Sequence, residues 1–551
     1  MKNFGYRSLL ISAVSIALLL PRLTIPVMAQ TYTRLYTLGS NSGDPINPSA
    51  IGSMSQARDG RVYTTSQFGG ANSQREGSAF AFTTTGVLAR VWDFGNYPLP
   101  ASPWSGMTMG TDGNFYGTTS GGGTHISGTV FKLTNTGVFT TLWNFTGGTD
   151  QGNPQSGPVL GRDGNLYGTV DGVYAGTYGA AYKITPTGVI KTIHAFTYTD
   201  GATPYQPILG LDGFFYGIAR SGGANRMGVV FRMSAAGAVK VLHNFAGYPS
   251  DGSQPIGTLV QGNDGTLYGT TYAGGTKNVG SIYKISTAGT GFAIIHNFDR
   301  TININDGGQP LSGLALGTDG NLYGTSSVGG SKNAGSLFKI TPAGQYTPLY
   351  SACAVVCSDG FSPQTPMLQH TNGKFYGLMR GNSLGGSVLY SLNVNLGAFV
   401  SLVTTTGPVG SSIQILGQGF IGTSAVNVGG TKANFVVVSD TYITATVPAG
   451  TSGFVSVTTT AGTLNSSRKF FVVPAFISFT PASGAVGSKI TFTGKGLTQA
   501  SKVTVGGKAA TFVVNSDIQV TVTVPVGAVT GKIEITTPGG VATSKTSFTV
   551  T

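Results

Sequence analysis

Three sets of side chains in this 551-residue sequence could do chemistry. The first is a recurring pairing of acid and amide. Asp150, Asp200, Asp251, Asp306 and Asp359 stand shortly before Gln155, Gln206, Gln254, Gln309 and Gln364, with Asn153 and Tyr205 among them. Such residues could hydrogen-bond sugar hydroxyls, or offer oxygens to Ca²⁺, which needs several converging on one ion. The same acids could instead cap turns by accepting from their own backbone. The second set is His194, His243 and His296, a metal triad only if they meet in space. All three fill one position of a repeated strand that Trp92, Trp143 and Tyr350 fill elsewhere, which reads as packing. The third is Cys353 and Cys357, the only cysteines. In an oxidising compartment they pair and staple one loop. Free thiols and a metal site are the alternatives, the latter without neighbouring His. No nucleophile elbow, zinc motif, phosphate loop or dinucleotide fingerprint stands in a supporting context, so neither metal nor organic cofactor is expected. Two carboxylates could cleave a glycosidic bond, but each Asp-Gly repeats as architecture, and Glu76 and Glu534 are the only glutamates.

Positioning these groups falls to a repeat. Asp59-Gly-Arg-Val-Tyr63 recurs at Asp112 to Tyr116, Asp163 to Tyr167, Asp212 to Tyr216, Asp264 to Tyr268 and Asp319 to Tyr323, and as Asn372-Gly-Lys-Phe-Tyr376. Successive starts lie 53, 51, 49, 52, 55 and 53 residues apart. So even a period means one supersecondary unit used repeatedly. Each unit reads as four antiparallel strands. A short apolar inner strand, such as Pro158-Val159-Leu160, leads into Asp-Gly, read as a tight hairpin with both central residues at positive φ. The second strand carries Tyr-Gly-Thr, and the third reads Gly-Thr-Val-Phe-Lys-Leu at 128–133. After a turn such as Thr-Pro-Thr-Gly (185–188), the outer strand reads Leu142-Trp-Asn-Phe145 or Leu242-His-Asn-Phe245. The tyrosines are expected to fill space between units.

Four strands at a period near 50 match a propeller blade. The fold class is therefore all-β: a seven-bladed β-propeller over residues 30–396, followed by two small immunoglobulin-like β-sandwiches. Leu35-Tyr36-Thr37-Leu38 looks like an outer strand but precedes the first unit, whereas the seventh unit stops after its third strand near 388–392. The N-terminal strand should complete the seventh blade. Composition agrees. There are 86 glycines, 23 tyrosines and 30 phenylalanines, and charged residues are 9% against about 25% in typical domains. That excludes a disordered chain, and the scarcity of Glu excludes a helical solenoid.

These motifs resemble the GloVer tandem repeat of exported, choice-of-anchor bacterial proteins, over about residues 31–395. The resemblance implies a β-propeller and export, and no agreed activity. Beyond residue 397 the period changes. Ala398-Phe-Val-Ser-Leu402 returns as Ala475-Phe-Ile-Ser-Phe479, and Thr446-Val-Pro448 as Thr523-Val-Pro525. Two short-strand units of this size, 397–473 and 474–551, indicate small β-sandwiches. They resemble the IPT/TIG immunoglobulin-like domain, which occurs in surface receptors, glycan-handling enzymes and transcription factors.

Residues 1–29 carry Lys2 and Arg7, an apolar run at 9–20, and end Val27-Met28-Ala29, the pattern of a secretory signal peptide cleaved after Ala29. No later stretch reaches the apolar length of a membrane helix. The net charge of +13 comes from scattered Lys and Arg, so no nucleic-acid partner is expected. Topology then selects a face. The tight turns share one side of the blades and the long, variable loops share the other. The sandwiches should leave from the tight-turn side, freeing the long loops for binding. The expectation is a secreted or cell-surface binding or adhesion protein. Its long-loop face, with the acids and amides named above, would contact a polysaccharide or a surface protein, with the sandwiches as spacers. The alternative is a secreted carbohydrate-active hydrolase or lyase with its site at the central mouth of the propeller.

Overall fold

A computed structural model describes residues 30–551 except 49–53, 72–75, 96–97, 173–175, 301–305, 355–356 and 383–385. The signal peptide read at 1–29 lies outside the described residues. The fold is all-β, and among the described residues no helix is long and apolar enough to cross a membrane. The repeats form seven antiparallel sheets of four or five strands among the described residues.

The unit around Asp163 shows how the sequence dictates the sheet. Its inner strand Val159–Leu160 pairs with the second, Leu166–Val170, then come Ala180–Ile184 and the outer Ile190–Ala195. The second strand is buried on both faces, and the outer strand is only half-buried. The glycine that follows the repeated tyrosine in six of the seven units, with Thr64 in the first, has a steric reason. A Cβ on Gly168 would lie 2.3 Å from the Tyr182 hydroxyl, and one on Gly217 would lie 2.4 Å from the Phe231 ring. Glycine thus lets the aromatic ring of the third strand cross the second.

The Asp-Gly turn departs from the expected type. Only the glycine is left-handed, Gly164 at φ +76°, while Asp163 is not. Gly164 N–H donates to Gly161 O at 3.2 Å and Gly161 N–H to Asn165 O at 2.8 Å. This is a type I turn closed by a glycine bulge. It is preferred because Asp163 then accepts from Asn165 N–H (3.2 Å) and from the Tyr167 hydroxyl (2.8 Å). The tyrosines are buried between sheets as expected, with their hydroxyls tied back to the turn.

The loops that return to each inner strand are also more ordered than expected. Ala202–Pro204 and Phe361–Pro363 are short strands paired to the far end of the second strand, and Gly252–Gln261 runs through as one bulged strand. Each such segment holds a left-handed residue directly before proline: Asn47, Ser102, Asn153, Thr203, Gln254, Gln309 and Ser362. From Ser102 to Ser362, its N–H donates to a carbonyl of the preceding unit, as Asn153 does to Ser127 (2.7 Å) and Gln309 to Val279 (2.7 Å). At Asn47 the acceptor is the Ser387 hydroxyl of the last unit (3.1 Å). The following proline packs on the glycine that opens the neighbour's third strand, Pro255 on Gly228 for example.

The N-terminal strand Thr31–Leu38 pairs antiparallel with Ser387–Asn393, with Thr31 opposite Asn393 and Leu38 opposite Ser387. It carries a bulge between Arg34 and Tyr36, as the outer strands of six other units do, between Thr192 and His194 for one. Leu38, Tyr376 and Leu389 share a core cluster with Val62, Phe80 and Phe82 of the first unit. Gln56 and Thr371 exchange hydrogen bonds of 2.8 and 3.0 Å across the same junction.

Two sandwiches follow. In the first, the sheet containing Ser401–Leu402, Ser412–Leu416, Tyr442–Thr446 and Phe435–Ser439 faces one built on Gly453–Thr459 and Gly462–Val473. In the second, Ala475–Thr480, Lys489–Lys495, Gln519–Thr523 and Phe512–Ser516 repeat that order. The first sandwich sits against the tight turns. Arg58 donates to Gln414 Oε1 (2.8 Å) and stacks over Tyr442, Thr441 donates to Arg58 O (2.6 Å), and Arg468 donates to Gln261 O (3.2 Å). Leu416 and Tyr442 enter the core of the first two units beside Ala57 and Met109.

Candidate functional site

The acids picked out by spacing are placed one per unit, against the outer strand. Asp150 accepts from Trp143 Nε1 (3.1 Å) and Thr146 Oγ1 (2.6 Å). Asp200 meets His194 Nε2 at 2.9 Å, Asp251 meets His243 at 3.0 Å, and Asp306 meets His296 at 3.1 Å. Asp359 accepts from the Tyr350 hydroxyl and from Ala354 N–H (2.9 Å). Each carboxylate also takes a backbone N–H of its own loop, as Asp251 does from Ala246 (2.9 Å). These five side chains fasten loop to strand, and the structure does not bring them together. The histidines are equally separate. His243 stacks on Phe292 with ring centroids 3.5 Å apart, and His296 on Tyr346 at 4.3 Å. Cys353 and Cys357 are joined by a disulfide. Asn153, Gln254 and Gln309 use their backbones as the left-handed clasps described above. Gln364 donates to Ser362 Oγ at 3.1 Å, and Gln206 lies buried on the inner side.

Three of the residues singled out in the sequence do converge. Gln155 Nε2 donates to Asp171 Oδ2 at 2.9 Å, and Arg220 Nη2 donates to Gln254 Oε1 at 3.1 Å. Tyr205 is buried beside Arg220. These groups come from three consecutive units and join through electrostatics. Burial pushes the Asp171 carboxyl up, against a hydrogen bond from Thr203 and the charge of Arg220 that pull it down. Burial likewise pushes the Tyr205 hydroxyl up, with the Arg220 charge opposing. The network can donate and accept hydrogen bonds, and it holds both an acid and a permanent cation.

Asp171 and Arg220 were missed in the sequence, yet a signal exists. Both stand four residues after the repeated tyrosine. That position holds Gln67, Ser120, Asp171, Arg220, Tyr272, Ser327 and Arg380 in the seven units. Its chemistry changes from unit to unit while its surroundings repeat. All seven lie at the long-loop end of the second strands, on the side away from the first sandwich. On that side Phe68, Tyr198, Tyr248 and Phe361 are also exposed, Tyr248 at 62%.

Two overlapping matches to the model of the Gloeobacter/Verrucomicrobia repeat cover residues 23–214 and 205–437, and the IPT/TIG domain model matches 474–550. No curated protein matches the chain. Solved structures similar to it include SGBP-B from a complex xyloglucan utilization locus in Bacteroides uniformis, 19% identical over 27% of this chain and 48% of that one, with a TM-score of 0.15. Another is the surface glycan-binding protein of Prevotella bryantii, 14% identical over 28% and 39%, with a TM-score of 0.21. A third is a fungal alcohol oxidase of the AA5 family in complex with copper, 13% identical over 81% and 99%, with a TM-score of 0.45. The chain spans less than half the length of the first two. By the repeat model that covers most of it, the chain belongs to the Gloeobacter/Verrucomicrobia repeat family and carries an IPT/TIG domain behind the repeats.

Proposed function

We propose that the chain is an exported, surface-exposed binding protein whose long-loop face takes up a glycan. In this reading residues 30–396 form a closed seven-bladed propeller. The segments 397–473 and 474–551 are IPT/TIG-type sandwiches that hold it away from its anchorage. The observation that carries the reading is the position four residues after each repeated tyrosine. There, on the face that the first sandwich leaves free, a repeated strand ends on side chains of different hydrogen-bonding chemistry, and Asp171, Arg220 and their amide partners come together. Arg220, Gln254, Gln155 and Asp171 suit a ligand rich in hydroxyls. The exposed Tyr198, Tyr248, Phe68 and Phe361 suit the apolar faces of sugar rings.

The test is retention of residues 30–551 on a panel of plant and bacterial polysaccharides, with released products scored in the same incubation. Arg220→Ala should weaken retention by about 10- to 100-fold, the worth of a hydrogen bond to a charged group. Tyr248→Ala should weaken it by roughly 3- to 10-fold, in line with a lost aromatic contact. If no polysaccharide is retained, or if both variants are retained like the parent, the reading fails. One observation favours carbohydrate cleavage instead: Asp171 combines a raised carboxyl with a neighbouring tyrosine and arginine. That reading expects oligosaccharides in the supernatant and their loss in Asp171→Asn.

A further inference from the structure

The opposite face holds a cavity. Where the first sandwich covers the inner strands, a chamber of about 780 Å³ remains, within the size range of small-molecule sites. Its walls are largely apolar, with Val159, Ile208 and Leu259 from the repeats and Val403 from the sandwich. Two arginines line it, Arg162 from the repeats and Arg468 from the sandwich, and no Asp or Glu does. Among the described residues, neither guanidinium has a carboxylate within ion-pairing distance. Arg468 keeps one bond, to Gln261 O, and burial lowers its pKa with no opposing charge. Arg162 donates Nη2 to Leu211 O (2.6 Å) and feels the charge of Asp212, which does not line the chamber, but its Nε finds no partner, so Arg468 is the cation without a counter-charge. Gln206, 6% exposed, also lines the chamber. Its Nε2 is directed to Pro158 O at 3.5 Å, which leaves Oε1 buried without a donor.

A half-buried cation without a counter-charge and a buried acceptor without a donor are both costly. Their coincidence around an apolar space of ligand size describes the missing ligand. We infer that this chamber is a binding site for a small organic anion with an apolar body, its acid group facing Arg468 and Arg162 and an O–H or N–H donor facing Gln206. The site is separate from the long-loop face and needs the sandwich to complete it.

The probe is 8-anilinonaphthalene-1-sulfonate, an apolar anion with an N–H donor, titrated by fluorescence into residues 30–551. N-phenyl-1-naphthylamine, which lacks the sulfonate, is the comparison. One saturable site is expected, binding the sulfonate at least tenfold tighter than the neutral compound. Arg468→Gln should remove that preference and Arg468→Lys should keep most of it. Val403→Trp, which fills the chamber, should abolish the site while polysaccharide retention stays unchanged. Equal binding of the two compounds by the unmodified chain overturns the inference, whether or not the variants fold. So does undiminished sulfonate binding in a folded Val403→Trp.

Discussion

At the scale of single residues, the turn carboxylate of six of the seven units carries unusual duty, with Asn372 in its place in the seventh. Burial pushes Asp163 up, but hydrogen bonds from Lys183, Asn165 and Tyr167 outweigh it and hold its pKa at about 2. Lys183 approaches to 2.7 Å. A carboxyl with a folded pKa below its unfolded value of about 4 stabilises the fold above pH 4 and loses that contribution as pH falls through about 2. In the parent, stability should therefore drop between pH 4 and pH 2. In Asp163→Asn that drop should shrink, measured as urea midpoints at fixed pH values. Carbon-detected NMR titration of Asp163 in Lys183→Met should show its midpoint rising. An unchanged midpoint would mean that Lys183 does not hold the carboxylate. The same residue type explains why the binding residues were hard to read. Asp150 and its equivalents look like ligands in sequence because a carboxylate that caps a loop and one that binds sugar are the same letter. Only the ring partners on the outer strand, Trp143, His194 and Tyr350, distinguish them.

At the scale of elements, the four core strands of each unit and their order were legible, because the repeated second-strand tyrosine and the Gly-Thr-Val-Phe type of third strand mark them, whereas the extra inner strands such as Ala202–Pro204 were not. The junctions between units were not. Each depends on a left-handed residue before proline, filled by Asn, Ser, Thr or Gln, and no one residue type marks it. The left-handed region costs a residue with a β-branched side chain most. Gln309, at φ +47°, has its N–H committed to Val279. Gln309→Val should lower stability by about 1–3 kcal/mol, and Gln309→Gly should stay within about 1 kcal/mol of the parent. Thermal melts of the two variants decide the matter, since equal losses would show that backbone strain is not what the position resists. Asp171 and Arg220 escaped for the opposite reason. They break the repeat, and a reading built on what recurs discards what varies.

At the scale of the molecule, the first and last units are joined by the Thr31–Leu38 strand and by the cluster of Leu38, Val62, Phe80 and Tyr376. Removing residues through Leu38 exposes the edge of Ser387–Asn393 and opens that cluster. An unpaired edge of this kind invites pairing with other chains. The shortened protein should melt in more than one step and elute partly as oligomers, where the parent melts once and elutes as one species. Calorimetry and size-exclusion chromatography read both. A single sharp melt in the shortened form would show that the units hold together without their leading strand.

That leading strand has a consequence in time. It is the first stretch of described chain to be synthesised, yet its neighbour, Ser387–Asn393, is made only after every intervening unit. Contacts so distant in sequence form slowly. Until the last unit arrives, Thr31–Leu38 has no partner strand, and the sheets already made are held only by the contacts between neighbouring units.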